Sequence, residues 1–128
     1  MPTLQALGGD RQPNSARLSQ AQAGNGASTN IVDRGAAVER PALLAITTAV
    51  GATPTCTYAI EGSADGTNWF AVSYADPSTP DTGAVATFAL TTAGTALKIL
   101  RPGQPWRFLR LMYSANTNVT NTADVTVF

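Results

Sequence analysis

From residue 41 onward apolar side chains recur at every second position, the period of strands that bury one face. Residues 55–61 alternate most cleanly, sending Cys56, Tyr58 and Ile60 to one side and Thr57 and Glu61 to the other. Residues 41–50 place Leu44, Ile46 and Thr48 together. In residues 107–114, Leu109, Leu111 and Tyr113 share one face, whereas Phe108, Arg110 and Met112 share the other. Residues 69–74, 85–90 (Ala86, Phe88 and Leu90 on one face), 96–100 and 123–128 read as further strands, with a short piece at 30–32. About eight strands at 8–12-residue spacing, punctuated by Gly, Pro, Asn and Asp, predict an all-β, antiparallel β-sandwich.

The head of the chain reads differently. Residues 1–30 hold no aromatic, and 18 of the 30 are Gly, Pro, Ser, Thr, Asn or Gln, too little apolar surface to offset the entropy of ordering. Within it, residues 15–23 form a candidate short helix with Ser15 as N-cap, ended by Gly24-Asn25-Gly26. The expected organisation is a flexible N-terminal arm over 1–27 and a sandwich domain over 28–128.

Composition narrows the chemistry. The 128 residues carry 8 Lys+Arg against 8 Asp+Glu, no His and one Cys. A net charge of zero disfavours nucleic acid and anionic lipid, whose affinity comes from clustered cations. Without His there is no Ser-His-Asp triad and no imidazole metal ligand. Cys56 has no intrachain disulfide partner and lies in phase with Tyr58 and Ile60, as a core residue. No apolar stretch approaches the ~20 residues of a membrane helix, and the first ten residues do not read as a secretory signal. The expectation is a protein made in the cytoplasm, with no cofactor, no metal and no catalytic residues.

Three motifs carry both a structural and a functional reading. Residues 62–69 (GSADGTNW) predict a hairpin turn in which Asp65 and Asn68 satisfy loop amides and Trp69 covers the turn. The functional alternative is a sugar site with Trp69 as stacking platform, since the segment resembles the Asp box of sialidase propellers, one residue short and in a single copy. Asp76 and Asp81 lie in a loop with two prolines, read as solvated, with acid/base chemistry or calcium as remote alternatives. Lys98, Arg101, Arg107 and Arg110 gather four of the eight cations, interleaved with Trp106 and Phe108; they form either a surface for phosphate or an acidic protein, or a solvated strand face with Arg107 and Arg101 held by Asp or Glu across the sheet.

The residue orders 28–35 (STNIVDRG), 58–69 (YAIEGSADGTNW), 88–95 (FALTTAGT) and 105–111 (PWRFLRL) resemble the jelly-roll cement, or decoration, proteins of tailed bacteriophage heads. Arg34 departs from the leucine-like residue of that pattern. The resemblance implies a jelly-roll-like, non-enzymatic virion protein on the outer capsid surface, clamping neighbouring major capsid protein subunits as a dimer or trimer. Contacts through the arm would fall to Leu4, Leu7, Arg11, Arg17 and Leu18, each weak but repeated over a shell. The other reading is a carbohydrate-binding β-sandwich module of a phage surface or fibre protein.

Overall fold

A computed structural model describes residues 14–35, 40–81, 83, 87–100 and 106–127. Among these residues lie nine strands, all antiparallel: β1 (Asn14–Ala23), β2 (Gly26–Ala27), β3 (Val32–Asp33), β4 (Ala42–Ser63), β5 (Phe70–Ala71), β6 (Tyr74–Ala75), β7 (Phe88–Leu90), β8 (Gly94–Leu100) and β9 (Phe108–Val127).

β4 and β9, at 22 and 20 residues, organise the fold. They pair along their whole length, from Ala42↔Val127 to Ser63↔Phe108, with register shifts between Val50 and Thr57. There Thr53 (φ 44°), Ala115 (φ 49°) and Asn118 (φ 55°) adopt left-handed backbone, a strained choice for Thr because of its branched Cβ. Asn118 Nδ2 donates to Ala52 O at 2.6 Å and ties the two bends together. Each long strand therefore folds over, and one continuous sheet becomes two facing layers. One layer runs β1, the end of β9, the start of β4, β8 and β6; the other flanks the start of β9 with β2 and β3 and the end of β4 with β5 and β7.

The contact between layers is direct. Tyr58 is paired within its own layer with Tyr113, yet its hydroxyl donates across the core to Asn121 Oδ1 at 2.5 Å. One buried cluster takes residues from both layers, including Leu44, Ile46, Tyr58, Leu111, Val119 and Val125. The expected β-sandwich is present, and Cys56, Tyr58, Ile60, Leu109, Leu111 and Tyr113 all face its core.

Three expectations are corrected. The segments read as separate strands at 41–50 and 55–61, and at 107–114 and 123–128, are halves of β4 and β9, because Gly51 to Pro54 and Ser114 to Asn118 bend the strands without ending them. The candidate helix at 15–23 is strand β1, paired with β9 from Asn14↔Val127 to Ala23↔Thr120. The boundary at residue 28 therefore does not divide arm from domain: residues 14–27 belong to the sheet. The physical reason is that β9 supplies the hydrogen bonds that a short polar helix would have to make alone. Bulges in β1 also turn Leu18 inward, where it is 1% exposed.

Candidate functional site

The cations that lie close together in sequence do not form one patch. Arg107 and Arg110 stand on the outer side of the layer holding β3 and the start of β9. Arg107 Nε and Nη2 donate to the two carboxylate oxygens of Asp33 at 2.8 and 2.9 Å, and Arg110 Nε donates to Glu61 Oε1 at 2.8 Å. Lys98, on β8 in the other layer, is turned between the layers, where its ammonium sits 4.5 Å from the Phe88 ring centre, 5.4 Å from that of Tyr74, and against the Asp76 carboxylate. The carboxylate expected across the sheet from Arg107 is Asp33; Arg110 has one as well, in Glu61, whereas Lys98 is turned inward onto a loop carboxylate and Arg101 lies outside the described residues.

The arm candidates divide in the same way. Arg17 is on the surface and forms an ion pair with Asp124 at 2.9 Å. Leu18 is buried in the core and so offers no surface for a partner, a correction that follows from the bulged register of β1. Leu4, Leu7 and Arg11 lie outside the described residues.

The turn after β4 is closed by its own side chains. Asp65 Oδ1 accepts from the backbone nitrogens of Thr67 (2.8 Å) and Asn68 (2.9 Å), Asp65 Oδ2 accepts from Asn68 Nδ2 at 2.8 Å, and Ser63 Oγ accepts from the nitrogens of Asp65 and Gly66. These donors, the backbone ones first, hold the Asp65 carboxyl well below its ordinary 3.8. The Arg107 guanidinium, followed by the Gly35 amide, lowers Asp33 in the same sense. A depressed folded-state value means the contribution is complete above the unfolded value and fades as acid protonates the group. Thermal stability is therefore expected to hold from pH 7 to about 4 and to fall below it, and Asp65→Asn should flatten that acid limb in melts recorded between pH 7 and 2.

Trp69 is half-buried beside this turn, with the Arg110 guanidinium 4.2 Å from its ring centre. A stacking sugar would have to displace that cation, and Asp65 and Asn68 are already bonded to each other. The aromatic group at the same end closes the core. Phe70, 54% exposed, stacks on Trp106 at 5.3 Å, while buried Arg34 donates through Nε to the Trp106 carbonyl at 2.9 Å. Arg34 thus fills its leucine-like position by satisfying a backbone acceptor at the sandwich end. Desolvation pulls its guanidinium below its ordinary value.

This packing requires a glycine at position 62. A Cβ there would stand 2.5 Å from Trp106 Cγ and 2.8 Å from Val72 Cγ2. Gly62→Ala is expected to cost about 1–3 kcal/mol by overpacking, seen as a lower denaturant midpoint and a change in Trp fluorescence.

At the opposite end the bends of β4 and β9 meet the β1–β2 turn around an open concavity of about 470 Å³. Asn116 knits it, donating through Nδ2 to Gly24 O and Val119 O at 3.0 Å each and accepting from the Val119 nitrogen at 3.1 Å. Its lining is small and amide-rich, with Gly24, Ala49, Gly51, Asn118 and Thr120, and holds no titratable side chain. Among the described residues no group of three or more His, Cys, Asp or Glu is placed to hold a metal, and no helix is long and apolar enough to cross a membrane. Asp76 is engaged by Lys98, and Cys56 is fully buried.

Sequence reasoning passed over the buried polar groups. Tyr113 donates to Ser19 Oγ at 2.8 Å, and Ser19 donates to Gln22 Oε1 at 2.6 Å, which also accepts from Thr29. The only sequence sign of this network is a Ser and a Gln three residues apart in a segment otherwise poor in apolar residues.

No family model and no curated protein matches the chain. Among solved structures it is similar to the crystal structure of the SPBc2 prophage-derived protein YomS, with a TM-score of 0.64 and 8% identity, covering 91% of this chain and 94% of that one. Coverage that wide extends into the first 27 residues. What the two chains share is the fold.

Proposed function

We propose that this chain is a non-enzymatic virion structural protein that binds the outside of an assembled phage capsid and cements neighbouring major capsid protein subunits. The observation carrying this reading is the fold shared over 91% of the chain with a prophage-derived protein, joined to the resemblance of its turns and strand edges to phage cement proteins. The way its polar groups are used supports it. Arg17, Lys98, Arg107 and Arg110 are each paired with a carboxylate distant in sequence, and that suits a stiff body working through contact area.

Cementing needs no chemistry. A protein that binds the assembled lattice and not its separated subunits stabilises the lattice by mass action. A standard interface buries ~1,600 Å² in total, within reach of one face of a sandwich this size. The chain's neutral balance also fits a protein partner better than nucleic acid.

The test is to add purified protein to matching undecorated capsids and follow rupture on heating. The expected result is saturable binding and a higher rupture temperature. Capsids that bind nothing and rupture unchanged refute the proposal. The carbohydrate reading has the half-buried Trp69 in its favour, but Arg110 lies over that ring; a glycan array with hits lost on Trp69→Ala would establish it instead.

A further inference from the structure

The two edges of the β1-containing layer are finished differently. β1 is interrupted by register shifts between Arg17 and Ser19 and between Ser19 and Gln22. Asn30 takes up two of its carbonyls, the backbone nitrogen donating to Leu18 O at 2.8 Å and Nδ2 to Arg17 O at 3.2 Å. Such irregularities and caps blunt a strand edge.

The opposite edge lacks them. Among the described residues β6 pairs only with Ile99 and Leu100 of β8. Residues 94–98 have no strand on their outer side among the described residues, while their inner side keeps unbroken register with β4 from Thr48↔Gly94 to Leu44↔Lys98. Apart from Gly94, which opens it at φ 144°, this stretch is regular, with no bulge and no proline. Its one charge, Lys98, is turned inward onto Phe88, Tyr74 and Asp76 and does not guard the edge. Thr95 and Leu97 point out of the sheet and are exposed, Leu97 at 39%. A regular edge of this kind is a template for another strand.

We propose that residues 94–98 pair antiparallel with the same residues of a second copy of this chain, about a two-fold axis at Ala96. The free stretch is bounded by β6 at Ile99 and by the turn at 92–93, so Ala96 is its midpoint. A two-fold there opposes Gly94 to Lys98 and Thr95 to Leu97, and each chain offers the other an identical row of backbone donors and acceptors. No like charges face each other, and each exposed Leu97 is covered by Thr95 of the second copy. The two layers join into one sheet running through both chains. This pairing is a property of the chain alone and stands whether or not it docks on a capsid.

The test is sedimentation velocity of the full chain over a range of concentrations, with the mass expected to rise from 13.2 kDa to twice that value. The double variants Thr95→Lys with Leu97→Lys, and Thr95→Glu with Leu97→Glu, each oppose like charges twice per interface. Each is expected to weaken the dimer about tenfold, and mixing the two should restore it as a heterodimer. Hydrogen exchange of the unmodified chain gives a readout independent of any variant: the amides of 94–98 should become slower as concentration rises. A chain that stays monomeric, a closed trimer, charged variants that dimerise as tightly as the parent, or protection at 94–98 that ignores concentration would each overturn the pairing.

Discussion

Replacing Leu18 with alanine is expected to lower the unfolding free energy by about 2–5 kcal/mol, the range for truncating a large aliphatic side chain in a packed core. Leu18 is 1% exposed and belongs to the same buried cluster as Val32, Leu109 and Val125. It reaches that cluster because β1 is bulged on either side of Ser19. The side chain of its neighbour Arg17 is 43% exposed and pairs with Asp124, so Arg17→Ala should leave stability nearly unchanged. The pair of variants is decisive. If residues 14–27 were a loose arm, both substitutions would be silent; if they are a strand of the sandwich, only Leu18→Ala shifts the urea midpoint, at an unchanged slope.

Asn121→Ala should destabilise by about 2–4 kcal/mol, combining a small cavity with a stranded hydrogen-bond donor. Asn121 is fully buried, accepts the Tyr58 hydroxyl at 2.5 Å and directs its Nδ2 toward Cys56 Sγ at 3.8 Å. Removing it leaves that hydroxyl in an apolar core, where burial already pushes the Tyr58 phenol far above its ordinary 10.0. Tyr58→Phe removes the other half of the bond but keeps the ring stacked on Phe88 at 5.2 Å and edge-on to Tyr113 at 5.6 Å, so its cost should be smaller. A double-mutant cycle between the two isolates the bond itself, and a coupling near zero would show that Asn121 acts only as filler. Because this bond joins the two layers, its loss should also raise hydrogen exchange in both halves of β9.

The candidate surface was partly legible. The turn at residues 63–68 could be read outright, since Asp65 bonds to nitrogens two and three residues away. Arg107 was identifiable as a residue in need of an acidic partner, though not that Asp33 supplies it 74 positions away; the pairing of Arg110 with Glu61, 49 positions away, had no sign in the sequence. Lys98 could not be separated from the two arginines by spacing: alternation alone does not reveal that β8 lies at a layer edge where an inward lysine finds two aromatic rings. Arg34 was visible only as a mismatch, because its acceptor is a carbonyl 72 residues away.

What the sequence determined by itself is the part of the fold governed by short-range geometry. Alternating side chains at 55–61 and 107–114 decided which residues are buried, because successive side chains of a strand point to opposite faces. Gly, Asp and Asn in 62–68 decided a turn. Tertiary structure decided which breaks in the pattern are bends and which are ends, and it drew residues 14–23 into strand β1. The reason is that a strand, unlike a helix, takes its hydrogen bonds from a partner. For β1 that partner is β9, about a hundred residues away, and no local pattern records the pairing.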